Sequence, residues 1–210
     1  MNKEAGVIGG IAVVAIVAVI ALFATSKNTT NVSSVDQSKL VLSDSYKTGS
    51  VSPKVTVVEF GDYQCPACQA AYPILKTMLA KHADMQLVWR DFPLPNHKNA
   101  MLAARAVNAA GRQGQFWQMN GKLYETQTDW SESDKARDLF IGYARDFGLN
   151  LDQFKLELDI ADIAARIAQD LAGANELGVN ATPTLYFNGV KYTGSLTESG
   201  FEAAYAEAAK

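Results

Sequence analysis

The sequence predicts a small mixed α/β sheet, flanked by helices and interrupted by a long all-helical insertion. Three observations carry this. An apolar, β-branched run from Val55 to Phe60 ends at Gly61 and leads into a Cys-x-x-Cys that opens a helix. From Lys98 to about Leu177 the pattern is helical, punctuated by glycines, with no strand signal inside it. A strand signal then returns at Thr182–Phe187 and is followed by Asn188-Gly189, the strongest short hairpin dipeptide.

The chain opens with 19 uncharged residues, Gly6 to Ala24, preceded by Lys3 and followed by Lys27. As a helix they span roughly 28 Å, about one hydrocarbon core. Residues 1–24 are therefore a transmembrane anchor or a secretory signal. Ala24-Thr25-Ser26 is a passable cleavage site, but a signal's apolar region is usually about 7–15 residues, so the length favours an uncleaved anchor. Both readings export the remainder. Residues 25–52 are rich in Ser, Thr and Asn and read as a linker, with a reach of about 30 Å if flexible throughout. Leu40, Val41 and Leu42 interrupt it with the makings of a strand or short helix near its end.

The domain proper is expected over 53–210. After the first strand, Asp62 or its successors are placed to cap a helix, and Pro66 suits its first turn, where a missing N–H is no loss. That helix continues through Tyr72, Ile74, Leu75, Met78 and Leu79 to about Lys81, with Pro73 expected to kink it or end its first segment. Met85–Trp89 reads as a second strand. In the helical block, Gly111 is expected to stop the first helix and Gly148 the third, while Asn150 caps a fourth. Val190–Thr193 make the return strand of the hairpin, and Thr197 or its neighbours cap a last helix.

The chemistry centres on Cys65 and Cys68. At a helix N-terminus, unpaired amides and the helix dipole favour an anion, so Cys65 should ionise more easily than a free thiol. With Cys68 one turn on to resolve a mixed disulfide, this is the arrangement that thiol–disulfide exchange needs. These are the only cysteines in 210 residues, which excludes a structural disulfide framework and a four-cysteine zinc site. A static bridge closing so short a loop would add little stability. His82 and His97 are far apart and lack paired ligand spacing, so no metal site is read. The net charge of −3, without a basic face, points away from nucleic acid.

Four segments in order, V-E-F-G-D-Y-Q-C-P-A-C from Val58, F-P-L-P-N-H from Phe92, G-Q-F-W from Gly114 and G-V-N-A-T-P-T-L-Y-F-N-G from Gly178, resemble the DsbA-like thiol–disulfide oxidoreductases. The resemblance covers Val51 to the C-terminus. It implies a thioredoxin-like mixed sheet with an inserted all-helical subdomain at about 97–177, here behind an N-terminal transmembrane helix. It further implies that Thr182-Pro183 faces the active site with its peptide bond cis and pairs with substrate backbone. Glu59 becomes a buried acid beneath the sulfurs, able to accept the Cys68 proton.

The implied function is an extracytoplasmic oxidoreductase that introduces disulfides into exported proteins, reoxidised by a membrane quinone reductase of the DsbB or vitamin K epoxide reductase type. No cofactor beyond the redox-active Cys65–Cys68 disulfide is implied. One departure stands out: strongly oxidising members commonly carry Pro-His between the cysteines, and this chain has Pro66-Ala67. A reductase or isomerase of the same fold is therefore the alternative, with a non-redox peptide-binding chaperone behind it.

Overall fold

The structure, a computed structural model, describes residues 34–210. The expected anchor at 1–24 and the first part of the expected linker lie outside the described residues. Among the described residues no helix is long and apolar enough to cross a membrane.

A five-stranded sheet organises the domain, in the order β1-β3-β2-β4-β5. β2 (Val55–Gly61) runs parallel to β3 (Met85–Asp91) on one side and antiparallel to β4 (Thr184–Phe187) on the other. Being central, β2 is buried on both faces, which is why its sequence is a nearly continuous apolar run rather than an alternation. Val55, Val57 and Leu185 pack under α2 (Pro66–Lys81) and α9 (Glu198–Ala208), while Val58, Phe60 and Tyr186 pack on the opposite face. Pro73 lies inside α2 without ending it.

The second part of the expected linker carries regular structure near its end, as the Leu40–Leu42 interruption allows. Residues 34–52 contain α1 (Gln37–Leu40) and β1 (Tyr46–Gly49), and β1 pairs antiparallel with β3 as a sheet edge. Leu40 is fully buried, and Tyr46 stacks on Phe116 with ring centroids 3.7 Å apart. A short edge strand exposes alternate residues, so Lys47 and Gly49 hide it within a polar composition.

Between β3 and β4 lies the helical insertion: α3 (Ala100–Arg112), α4 (Phe116–Glu125), α5 (Gln127–Trp130), α6 (Ala136–Asp146), α7 (Leu151–Glu157) and α8 (Ala161–Glu176). Asn150 caps α7 through a bond from the Gln153 amide, and Gly148 follows α6 with φ +70°. Gly111 does not stop α3. It lies inside the helix, where a side chain would collide with the Tyr46 ring, and Gly114 takes the left-handed turn instead at φ +79°. The insertion has its own core around Trp130, Phe140 and Phe154. A buried ion pair, Arg90 on β3 with Asp170 on α8, ties it to the sheet.

The hairpin turns at Asn188 (φ +45°) and Gly189 (φ +85°), the pair of positive dihedrals that the dipeptide predicts. Its return strand β5 is only Val190–Lys191, shorter than expected. Thr197 caps α9 as read from the sequence.

Candidate active site

The site is built where β2 runs out. Past Gly61 the chain crosses Asp62, Tyr63 and Gln64 and enters α2 at Pro66, with Cys65 as the N-cap residue and no side-chain cap. Of Asp62 and its successors, which the sequence offers for the cap, it is Cys65 that takes the position and not Asp62. Its Oδ1 accepts from the Gln64 amide at 2.7 Å, and its Oδ2 accepts from the Leu94 amide at 2.9 Å and faces His97 Nδ1 at 2.7 Å. A side chain and a backbone amide from the insertion hold the rest of the turn. Gln127 Nε2 donates to the carbonyls of Tyr63 and Cys65 at 2.8 and 3.1 Å, and Gln64 Oε1 accepts from the Asn99 amide at 2.6 Å. Gln127 and Asn99 carry no sequence signal of their own, because their role comes from placement across the fold.

Cys65 and Cys68 are unbridged. Cys65 is 7% exposed and Cys68 not at all, so only the first sulfur reaches the surface, flanked by exposed Pro66 and half-buried Ala67. Cys65 Sγ lies 3.3 Å from the carbonyl oxygen of Thr182, and the Thr182–Pro183 bond is cis. The structure thus brings the Thr182-Pro183 loop onto the first sulfur.

The two thiols are driven apart in acidity. A hydrogen bond from Cys68 is the largest cause lowering Cys65 to about 5; burial opposes it, and Thr182 with the amides of Cys68 and Ala67 adds to the lowering. Cys68 is pushed well above an ordinary thiol by burial, then by Cys65 and Glu59. Glu59 sits on the central strand, opposite Trp89 and Leu185, and is 3% exposed. Burial, then the charge of Cys65, raises its pKa to about 8. A neutral acid thus lies in the electrostatic reach of the sulfurs. Among the described residues no group of three or more His, Cys, Asp or Glu is placed to hold a metal ion.

A family model described as thioredoxin matches residues 43–205. The chain belongs to the thioredoxin family. Several solved structures share this thioredoxin-like fold. One is a thioredoxin-like oxidoreductase from Silicibacter pomeroyi, 28% identical, with a TM-score of 0.71 and coverage of 83% of this chain and 98% of that one. BdbD from Bacillus subtilis is 24% identical with a TM-score of 0.68, covering 78% of this chain and 91% of that one. The thiol–disulfide exchange protein alpha-DsbA2 from Wolbachia pipientis is 18% identical with a TM-score of 0.71, covering 81% of this chain and 90% of that one. At such identities the last two speak for the fold alone.

Among curated relatives, a Na(+)/H(+) antiporter NhaA 1 from Salinispora arenicola is 39% identical over 155 residues, which is 73% of this chain and 23% of the antiporter. An NhaA 3 from Salinispora tropica is 37% identical over 151 residues, 71% of this chain and 22% of that protein. The chain thus spans about a quarter of the length of these relatives. The thioredoxin-family match and the likeness to the Silicibacter pomeroyi oxidoreductase are consistent with a redox enzyme.

Proposed function

We propose that the chain is a membrane-anchored, extracytoplasmic thiol–disulfide oxidase that passes the Cys65–Cys68 disulfide to exported proteins. The observation that carries this reading is Cys65 Sγ at the N-cap of α2, 3.3 Å from the Thr182 carbonyl oxygen and above a fully buried Cys68, an arrangement that lowers Cys65 to about 5 and raises Cys68. A stabilised Cys65 thiolate favours the reduced state of the protein, and a dithiol whose reduced state is favoured is an oxidant.

A substrate thiolate attacks Cys65 Sγ of the disulfide; the S–S bond breaks and Cys68 leaves as a thiolate, taking the proton of the Glu59 carboxyl. A second substrate thiolate then attacks the substrate sulfur of the mixed disulfide and expels Cys65, whose low pKa makes it a good leaving group. The substrate loses two electrons and the protein gains them. Thr182-Pro183, beside Cys65, is the loop against which substrate backbone lies. A membrane quinone reductase of the DsbB or vitamin K epoxide reductase type would restore the disulfide.

The apolar stretch Gly6–Ala24 supports the anchored location, as does a matching domain within antiporters. A reductase or isomerase direction is favoured by one feature, the missing imidazole at Ala67, which leaves the Cys65 thiolate without a donor there. Mixing the oxidised protein with a reduced dithiol peptide tests the main reading. Stoichiometric peptide oxidation, lost in Cys65→Ser, is expected; peptide oxidation that survives Cys65→Ser would overturn it.

A further inference from the structure

We propose that Tyr124 is a positioning residue for proton exchange at Glu59, acting through a cavity that reaches solvent away from the sulfurs. This rests on the reading of Glu59 as the proton partner of Cys68 and adds the route by which that proton comes and goes.

A cavity of about 190 Å³ lies beneath the site. Buried Glu59, Asn120 and Tyr124 line it together with Thr48, Lys76 and Trp117, which reach the surface. Glu59 Oε1 and Tyr124 Oη are both buried and have no hydrogen-bond partner among the described residues. A buried oxygen left unpaired is costly, so two on the lining of one cavity call for a shared explanation. Water supplies it. The space is ample for several molecules, and the Asn120 amide offers a further polar partner.

Tyr124 is fixed by packing rather than by its hydroxyl. Its ring lies 5.3 Å from those of Tyr63 and Tyr72 and 6.2 Å from that of Trp89, and its carbonyl accepts from Gln69. The hydroxyl is thereby held as a ready donor and acceptor. Lys76, whose side chain is 67% exposed, stands eight residues after Cys68 on α2. That is about 12 Å along the helix axis. A peptide lying across Cys65 and Thr182 would leave this mouth open.

The step moves one proton and no electrons. When Cys68 takes the proton of the Glu59 carboxyl, the carboxylate recovers one through cavity water and the Tyr124 hydroxyl from solvent near Lys76; reoxidation runs the same path outward. The titratable groups facing the pair are known. Cys65 at the N-cap of α2 and Cys68 within it face Glu59, while Cys68, Asp62 and Tyr63 face Tyr124. Asp91 on β3 and Tyr46 on β1 face Tyr63, and Tyr72 and Lys76 complete the lining.

Tyr124→Phe keeps the ring and removes an oxygen that has no partner among the described residues, so the fold should hold. The test is stopped-flow reduction of the oxidised full chain by dithiothreitol, in H₂O and D₂O, across neutral to alkaline pH. The expected result is a several-fold slower reaction, a larger solvent isotope effect and a displaced pH profile, with the Cys65 thiolate titration unmoved. Rates, isotope effect and pH profile equal to the parent's would overturn the proposal. Glu59→Gln separates the two layers. If it slows the reaction and Tyr124→Phe does not, the relay alone fails; if neither variant changes rate or profile, the Glu59 reading fails with it.

Discussion

His97 Nδ1 lies 2.7 Å from Asp62 Oδ2 and so joins the loop after β3 to the turn that carries the cysteines. Asp62 is 1% exposed and also accepts from the amides of Gln64 and Leu94. Asp62→Ala strands two amides and removes the His97 contact. A loss of stability of about 2–4 kcal/mol is expected by denaturant unfolding. His97→Ala, which leaves both amide bonds intact, should lose less. Equal losses would mean that the amide bonds add nothing.

Gln127 bridges the insertion to the Cys65 turn through two carbonyls. Gln127→Leu leaves the Tyr63 carbonyl buried and unpaired, at about 1–3 kcal/mol. Because the same bond steadies the start of α2, the Cys65 thiolate should also titrate at higher pH than in the parent. Absorbance of the thiolate against pH measures this, and an unchanged titration would limit Gln127 to a structural role.

Glu59 carries a pH signature in stability. Its pKa is raised from an ordinary 4.5 to about 8, so between these values the folded state holds a proton that the unfolded chain has lost. Stability therefore falls as pH rises through this window, by up to about 1.4 kcal/mol per unit. Glu59→Gln removes the effect. The variant's advantage should be smallest near pH 4, grow as pH rises and level off near pH 8, as followed by urea unfolding. An advantage that is flat across this range would show Glu59 to be ionised in the folded protein.

The acidity split also sets the slope of the reduction potential. From about pH 5 to about pH 7, Cys65 is already a thiolate and only Cys68 takes up a proton on reduction. One proton for two electrons gives about −30 mV per pH unit, against about −59 mV for two protons. Equilibration with a redox buffer across this range distinguishes the two slopes.

What could be read from the sequence was local. Val55–Phe60, Pro66 at the helix start, Asn150, Thr197 and Asn188-Gly189 all act within a few residues, and each took the structure its neighbours dictate. What escaped depends on distant partners. Tyr46–Gly49 becomes a strand only because β3 is there to pair with it. Asp62 is drawn from helix capping to Leu94 and His97, 32 and 35 positions on. Gly111 serves the Tyr46 ring rather than a helix end. Gln127 and Tyr124 look like ordinary helix residues until the insertion folds back over the cysteines. The burial of Glu59 was expected only through resemblance; the register of β2 between β3 and β4 supplies its physical cause.

The claim at the centre of this account is that the Cys65 thiolate, and with it the reduced state, is stabilised. The most direct measurement is equilibrium against a glutathione redox buffer, combined on the same sample with thiolate absorbance as a function of pH. The account predicts that Cys65 titrates near about 5 and that the potential lies closer to about −120 mV than to about −270 mV. A Cys65 pKa at or above neutral with a potential near about −270 mV would contradict it and turn the enzyme into a reductant.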